Sequence, residues 1–448
     1  MAEPKATKRI RIPTCCLVLV MLLVIVGAGW ILVVYGGKWQ VNTMLDDIRK
    51  RGEPVTSADL NTPRIADDEN AFVLYRQAWR GMAEEPMTVA SAVTHLAQRS
   101  PDRWDKRDVA TVRAHVERNR DRIRLVAMGN RRPKYRSYLH YGGSDTPFPQ
   151  RPFCENLGQM LIDQACVDLA DGRHAAALDM CDQALQFTSR LGSDSGTTMF
   201  YVEIGNRITI ATCLGQLAEA SNAEDLERIL RYMEANRPVS RAKSALIADR
   251  AMGVTSWQQL RRNGGLAWDS RYVYRTSAMH RAYQVPLPRS YSYHEEAWFL
   301  EGMNRRIVLA DRPFYEVSAD LAKLEYDLGG RRSAATQNAW FLLMCSGSPS
   351  PMKYEAPAMV RWDLAQTVAA IRLYRLRHGV YPKALADLAP EILKKIPIDE
   401  YSGKPLIYKI KGSCFIVYSV GENLKDDGGR PDKNAHSGGR GDIVIEVR

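Results

Sequence analysis

At 448 residues the chain is too long for a single ordinary core, and size alone divides it into two or three folded units. Apolar residues at 45% and charged residues at 25% exclude wholesale disorder. The net charge of +11 favours anionic partners of every kind, nucleic acid, lipid or acidic polymer, and does not choose among them.

Residues 1–13 form a short basic tail, and the stretch from Cys15 to Tyr35 then carries no charge. At about 1.5 Å per helical residue this stretch reaches roughly 31 Å, the thickness of a bilayer core. Thirteen of its residues are Leu, Ile or Val. At roughly −0.3 to −0.6 kcal/mol each, their gross insertion term is about −4 to −8 kcal/mol. A transmembrane helix over residues 14–36 is therefore expected. Lys5, Lys8, Arg9 and Arg11 precede it and only Lys38 follows closely, which keeps the N-terminus in the cytoplasm and sends the rest across. The address is a single-pass inner-membrane protein with a periplasmic bulk. Gly27, Ala28 and Gly29 would suit a signal peptidase, but the apolar run continues through Trp30 to Tyr35, past the length of a secretory h-region.

Residues 37–345 read as an α-helical extracytoplasmic region, with repeated apolar steps of three and four from about Asp67 to Met344. Asp67 and Asp68 are candidate caps for a helix carrying Ala71, Leu74, Tyr75 and Ala78. The segment from Arg99 to Arg136 is basic, with Arg113, Arg118, Arg120, Arg122 and Arg124 on one helix. A solvated face is the expectation there, and no nucleic-acid partner.

A pair of helices between Asn156 and Leu191, broken at Asp171-Gly172, resembles one tetratricopeptide unit. Ala177 and Ala184 stand at the spacing that lets neighbouring helices approach. Further helices are expected over Thr197–Ala218, Ala223–Ala235, Ser240–Arg262 and Glu295–Leu328, and loops over Tyr141–Pro152 and Asn263–Tyr293. An irregular helical array fits better than a regular solenoid.

Eight cysteines are scattered, with no C-x-x-C pair. Cys154, Cys166, Cys181 and Cys213 would support one or two disulfides in an oxidising compartment, although small buried cysteines on helix faces are commoner. Ser346 to Pro351 reads as a linker, placed at 346–357, and a separate C-terminal unit is expected over 358–448.

In that unit Leu364, Val368, Ile371 and Tyr374 stripe a helix that ends at Gly379. Leu385 and Leu388 form a short turn. Strand-like runs follow at Leu406–Ile410, Cys414–Ser419 and Ile443–Val447, so a helix packed on an antiparallel sheet is expected. The fold class is thus mainly α, with a small α+β unit at the end.

The order His378-Gly379-Val380-Tyr381-Pro382, Pro397-Ile-Asp399-Glu-Tyr401-Ser-Gly403-Lys-Pro405-Leu406, Tyr418-Ser-Val-Gly421 and Gly441-Asp442-Ile443 resembles the C-terminal domain of the type II secretion major pseudopilins. The resemblance covers about a fifth of the chain. It implies a calcium site in the Glu422–Gly441 loop, with Asn423, Asp426, Asp427 and Asp442 as ligands and Asp432 nearby. Two carboxylates about 5 Å apart repel by roughly 3 kcal/mol at an effective dielectric near 20, so such clustering favours a hard cation or open solvation. The N-terminal segment lacks the leader glycine and the helix glutamate of pseudopilins, so prepilin processing is not expected.

No catalytic set stands out. His294-Glu295-Glu296 lacks the second histidine of a zincin, since Trp298 holds that place. Ser240-Arg-Ala-Lys243 has a serine–lysine spacing without the partner motifs of that chemistry. The expected function is a non-enzymatic, membrane-anchored scaffold that binds proteins and is linked to a secretion or pilus-like apparatus. The alternative is an extracytoplasmic enzyme with a dispersed site.

Overall fold

A computed structural model describes residues 14–61, 63–82, 87–97, 99–138, 151–193, 196–263, 289–330, 350–430 and 441–447. The chain is mainly helical and closes with a small antiparallel sheet. Helix α1 spans Thr14–Lys50, and its two halves behave differently. In the first half Val18 to Val26 are all exposed, whereas Val41, Leu45 and Ile48 in the second half are buried at helical spacing. Gly52, at φ 70°, ends the helix, with the Glu53 N–H donating to the Ile48 carbonyl as a left-handed cap requires. Among the described residues no helix is long and apolar enough to cross a membrane. The side chains of 14–17 and 30–34 lie outside that description.

Helices α2 (Ala71–Trp79), α3 (Met87–Ala97), α4 (Lys106–Arg118) and α5 (Arg120–Asn130) build the first layer. The cap of α2 is Asn70, whose side chain accepts from the Phe72 N–H at 3.1 Å, and not the expected Asp67 or Asp68. Asp67 instead accepts the Tyr138 hydroxyl. Asn70 is closer to the first turn, and its amide also donates to the Arg136 carbonyl, an arrangement a carboxylate cannot make.

Helices α6 (Arg151–Ala170) and α7 (His174–Gly192) form the expected hairpin, turned at Gly172 with φ 72°. Ala177 and Ala184 are fully buried. Helix α8 (Thr197–Ala220) packs on both, followed by α9 (Ala223–Ala235) and α10 (Ala242–Asn263). The single helix expected over Glu295–Leu328 is two, α11 (Arg289–Leu309) and α12 (Phe314–Gly330). Pro313 separates them, since a proline disfavours helix at the residue before it. Residues 139–150 and 264–288, most of the two expected loops, and 346–349 of the expected linker lie outside the described residues.

Helix α13 runs from Pro351 to His378 and ends at Gly379 with φ 74°. Expectation and structure differ over 351–357. Ser350 stands at the N-cap and Pro351 at the first helical position, where its missing N–H costs nothing. Met352, Ala356 and Ala358 are buried, so this stretch belongs to the core.

Helix α13 lies along α8 and α9 and also touches β2 and β3. Strands β1 (Ile407–Lys411), β2 (Cys414–Ser419) and β3 (Ile443–Val447) are antiparallel with β2 central. Ile407 faces Tyr418, and Phe415 faces Val447. One apolar cluster runs from Val41 through the helices to Phe415 and Val447.

Candidate functional site

The acidic loop after β2 starts at Gly421, where an added Cβ would lie 2.3 Å from the Gly441 carbonyl. The two ends of the loop therefore pass in contact, and only glycine fits there. Asp426 accepts the Tyr418 hydroxyl and the Gly428 N–H, each at 2.8 Å, with Lys409 at 3.7 Å. The Tyr418 hydroxyl, first among these, holds the Asp426 carboxyl below its ordinary range.

Asp442 is buried and accepts the N–H groups of Gly429 at 2.7 Å and Asp427 at 3.4 Å. Asn423 donates to Asp427 at 2.9 Å and accepts the Lys425 N–H at 2.9 Å. The structure thus brings Asn423, Asp427 and Asp442 to one turn and sets Asp426 toward Tyr418. In this arrangement these oxygens accept from the N–H and hydroxyl donors that fold the turn. Among the described residues no group of three or more acidic, His or Cys side chains is placed to hold a metal ion. Asp432 lies outside the described residues.

Asp399, from the motif before β1, is also buried. It accepts the Ser419 hydroxyl at 2.7 Å, the Tyr401 N–H at 3.1 Å and the Ser402 hydroxyl at 2.8 Å. Its role is to tie the turn at 399–404 to the end of β2.

A second constellation is assembled from residues far apart in the sequence. Four carboxylates, Glu203 on α8, Glu355 and Asp363 on α13, and Glu400 before β1, line the seam where α13 meets the helical body. Glu203, fully buried, pairs with Arg207 at 2.6 Å and Arg241 at 3.6 Å. Glu355 accepts the Ser240 hydroxyl and the Arg241 N–H, the latter at 3.0 Å. Asp363 pairs with Arg237 at 3.0 Å, and Glu400 accepts the Phe314 N–H at 2.8 Å.

Loss of hydration is the largest influence on all four and raises each pKa, that of Asp363 to about 7. Glu219 on α8, close to Ser100 and Arg372, is pushed by burial to about 7 as well. Carboxyl groups titrating near neutrality are suited to proton transfer. Here they are enclosed between helices, where Glu203 and Asp363 pair with arginines and Glu355 and Glu400 accept N–H and hydroxyl groups, and these bonds tie α13 to the body. Removing one member of such a buried pair typically costs about 3–5 kcal/mol.

The serine–lysine and histidine–glutamate motifs and the basic segment have structural partners. Lys243 pairs with Asp311 at 2.6 Å and Ser240 serves Glu355, so the serine and lysine have separate partners. Glu296 pairs with Arg261 at 2.6 Å, and His294 packs on Gly37. Arg113 clamps Asp171 with both terminal nitrogens, and Arg122 donates to the carbonyls of Ala78, Arg80 and Gly81 at the end of α2.

Cys154, Cys166, Cys181 and Cys213 are free and buried. Cys166 and Cys213 line a narrow cleft with Asp163, Gln159 and Gln216. The neighbouring Cys213 thiol and burial push Cys166 well up, which makes it a poor nucleophile at neutral pH.

Compared with known proteins, the chain matches no family model, no curated protein and no solved structure.

Proposed function

We propose that this protein is a single-pass, membrane-anchored scaffold of the bacterial envelope. Residues 14–36 cross the inner membrane with the N-terminus in the cytoplasm, and the helical body and C-terminal α+β unit bind other proteins in the periplasm. One observation carries the reading: nine consecutive apolar side chains, Val18 to Val26, each expose 50–67% of their surface to the surroundings of the folded body. A continuous apolar surface of that kind on a helix calls for an apolar solvent or partner.

The link to a secretion or pilus-like apparatus rests on the pseudopilin-like motif order. A helix followed by an antiparallel three-stranded sheet supports it. A second reading, an extracytoplasmic enzyme, draws on Asp363 and Glu219 being held to about 7. Their enclosure between packed helices favours the scaffold.

Alkaline carbonate treatment of membranes carrying the full chain tests the anchor. The protein should stay with the lipid pellet, and its release with the peripheral proteins would refute the reading.

A further inference from the structure

We infer that Tyr35 and Trp39 lie at the lipid–water boundary and that the helical body is seated directly on the bilayer, with no stalk between them. This rests on the anchored reading above and names the surface that lipid touches.

Tyr35 and Trp39 are one helical turn apart on α1 and therefore share a face. They expose 65% and 72% of their surfaces, although their rings gain much from leaving water. Amphipathic rings in that state suit the headgroup level, where an apolar body and a polar edge are both satisfied. They also follow directly on the uncharged run that ends at Tyr35. Lys38, exposed between them, supplies a cation for lipid phosphate, whereas Arg49 and Lys50 at the far end of α1 are spent on Asp46 and Asp47.

Gly37 stands about 3 Å along the helix axis beyond Tyr35. It already meets the body there, since a Cβ on Gly37 would lie 3.0 Å from the His294 ring. Val41, Leu45 and Ile48 continue that contact along α11 without a break. One uninterrupted helix, Thr14–Lys50, thus joins the exposed apolar run to the body. The tilt of that helix in lipid then sets the orientation of the whole body, and the start of α11 faces the headgroups.

The test is quenching of tryptophan fluorescence in the intact protein reconstituted into phosphatidylcholine vesicles whose chains are brominated either near the headgroup or near the methyl end. Trp39→Phe is the informative variant, because an exposed ring can be exchanged without disturbing the core. Headgroup-proximal bromines should quench the native protein, and Trp39→Phe should remove most of that quenching while leaving quenching by the deep bromines intact.

If Trp39→Phe leaves the shallow quenching unchanged while the protein remains in the vesicles, the seating is wrong and the anchor survives. The same conclusion follows if shallow quenching is absent in the native protein and appears on dilution, because a second copy then covers Trp39. Failure of the protein to enter vesicles at all would overturn the anchored reading together with the seating.

Discussion

The two halves of α1 have nearly the same helical geometry and opposite fates. Val18 to Val26 hold an unbroken apolar surface and touch little of the body, whereas Val41, Leu45 and Ile48 hold an interrupted stripe and are buried against α11. The periodicity decides. An apolar side chain every three or four residues describes a helix with one wet face, and an apolar side chain at every position describes a helix without any. On the proposed anchoring, one continuous helix meets two solvents, and the change falls between Tyr35 and Val41.

The sharpest way to break the comparison is to charge the first half. Leu22→Arg with Val24→Arg replaces two favourable insertion terms by two unfavourable ones, a change of about 7 kcal/mol. Membrane retention should be lost while the melting of the body in detergent stays as it was. The complementary change is Leu45→Ala, which should lower the stability of the body by about 2–5 kcal/mol and leave retention untouched. If either variant moved both properties, the division of α1 would be wrong.

The buried carboxyls Asp363 and Glu219 sharpen the same contrast, because their protonation changes the stability of the body independently of lipid. Asp363 has an ordinary value of 3.8 and is raised to about 7 in the folded protein, and Glu219 goes from 4.5 to about 7. The folded state therefore holds these protons more tightly than the unfolded one. Stability from these groups is greatest in acid and falls as pH rises toward 7. Between about pH 5 and pH 8 each should lower stability by about 1–3 kcal/mol. Denaturant titrations should show this fall equally in detergent and in vesicles, and Asp363→Asn should remove about half of it, leaving the share of Glu219.

A smaller effect is expected at Gly192, where a Cβ would lie 1.6 Å from a Glu203 carboxylate oxygen. Gly192→Ala must displace one partner of the Glu203–Arg207 pair and should cost about 1–2 kcal/mol, read as a lower melting temperature. The smallest is Arg113→Ala. It removes a well-formed but partly exposed clamp on Asp171 and should change stability by less than about 1 kcal/mol.

Much of this arrangement is legible in the residues alone. The stripe Leu364, Val368 and Ile371, the glycine stop at 379 and the three strands are all where the pattern puts them, because burial on one face leaves a local periodic trace. The start of α13 is not legible, since Ser350-Pro351 reads equally as a linker and as an N-cap with proline at the first helical position.

The seam is hidden for a different reason. Arg237 and Asp363 stand 126 residues apart, so nothing local announces that they meet. The available signal is compositional: Glu203 and Arg207 lie four apart among the largely apolar residues of α8, and charges in such a place need partners. The acidic loop shows the converse, as its carboxylates cluster in sequence but are engaged by N–H and hydroxyl donors in space.

The proposed anchor holds the exposed half of α1 in lipid and carries the bulk of the chain to the far side. A reporter enzyme that gains activity only outside the cytoplasm, fused after Arg448, measures this directly. High activity in intact cells is the predicted result, and a reporter that stays inactive while the fusion is made in full length would contradict the account.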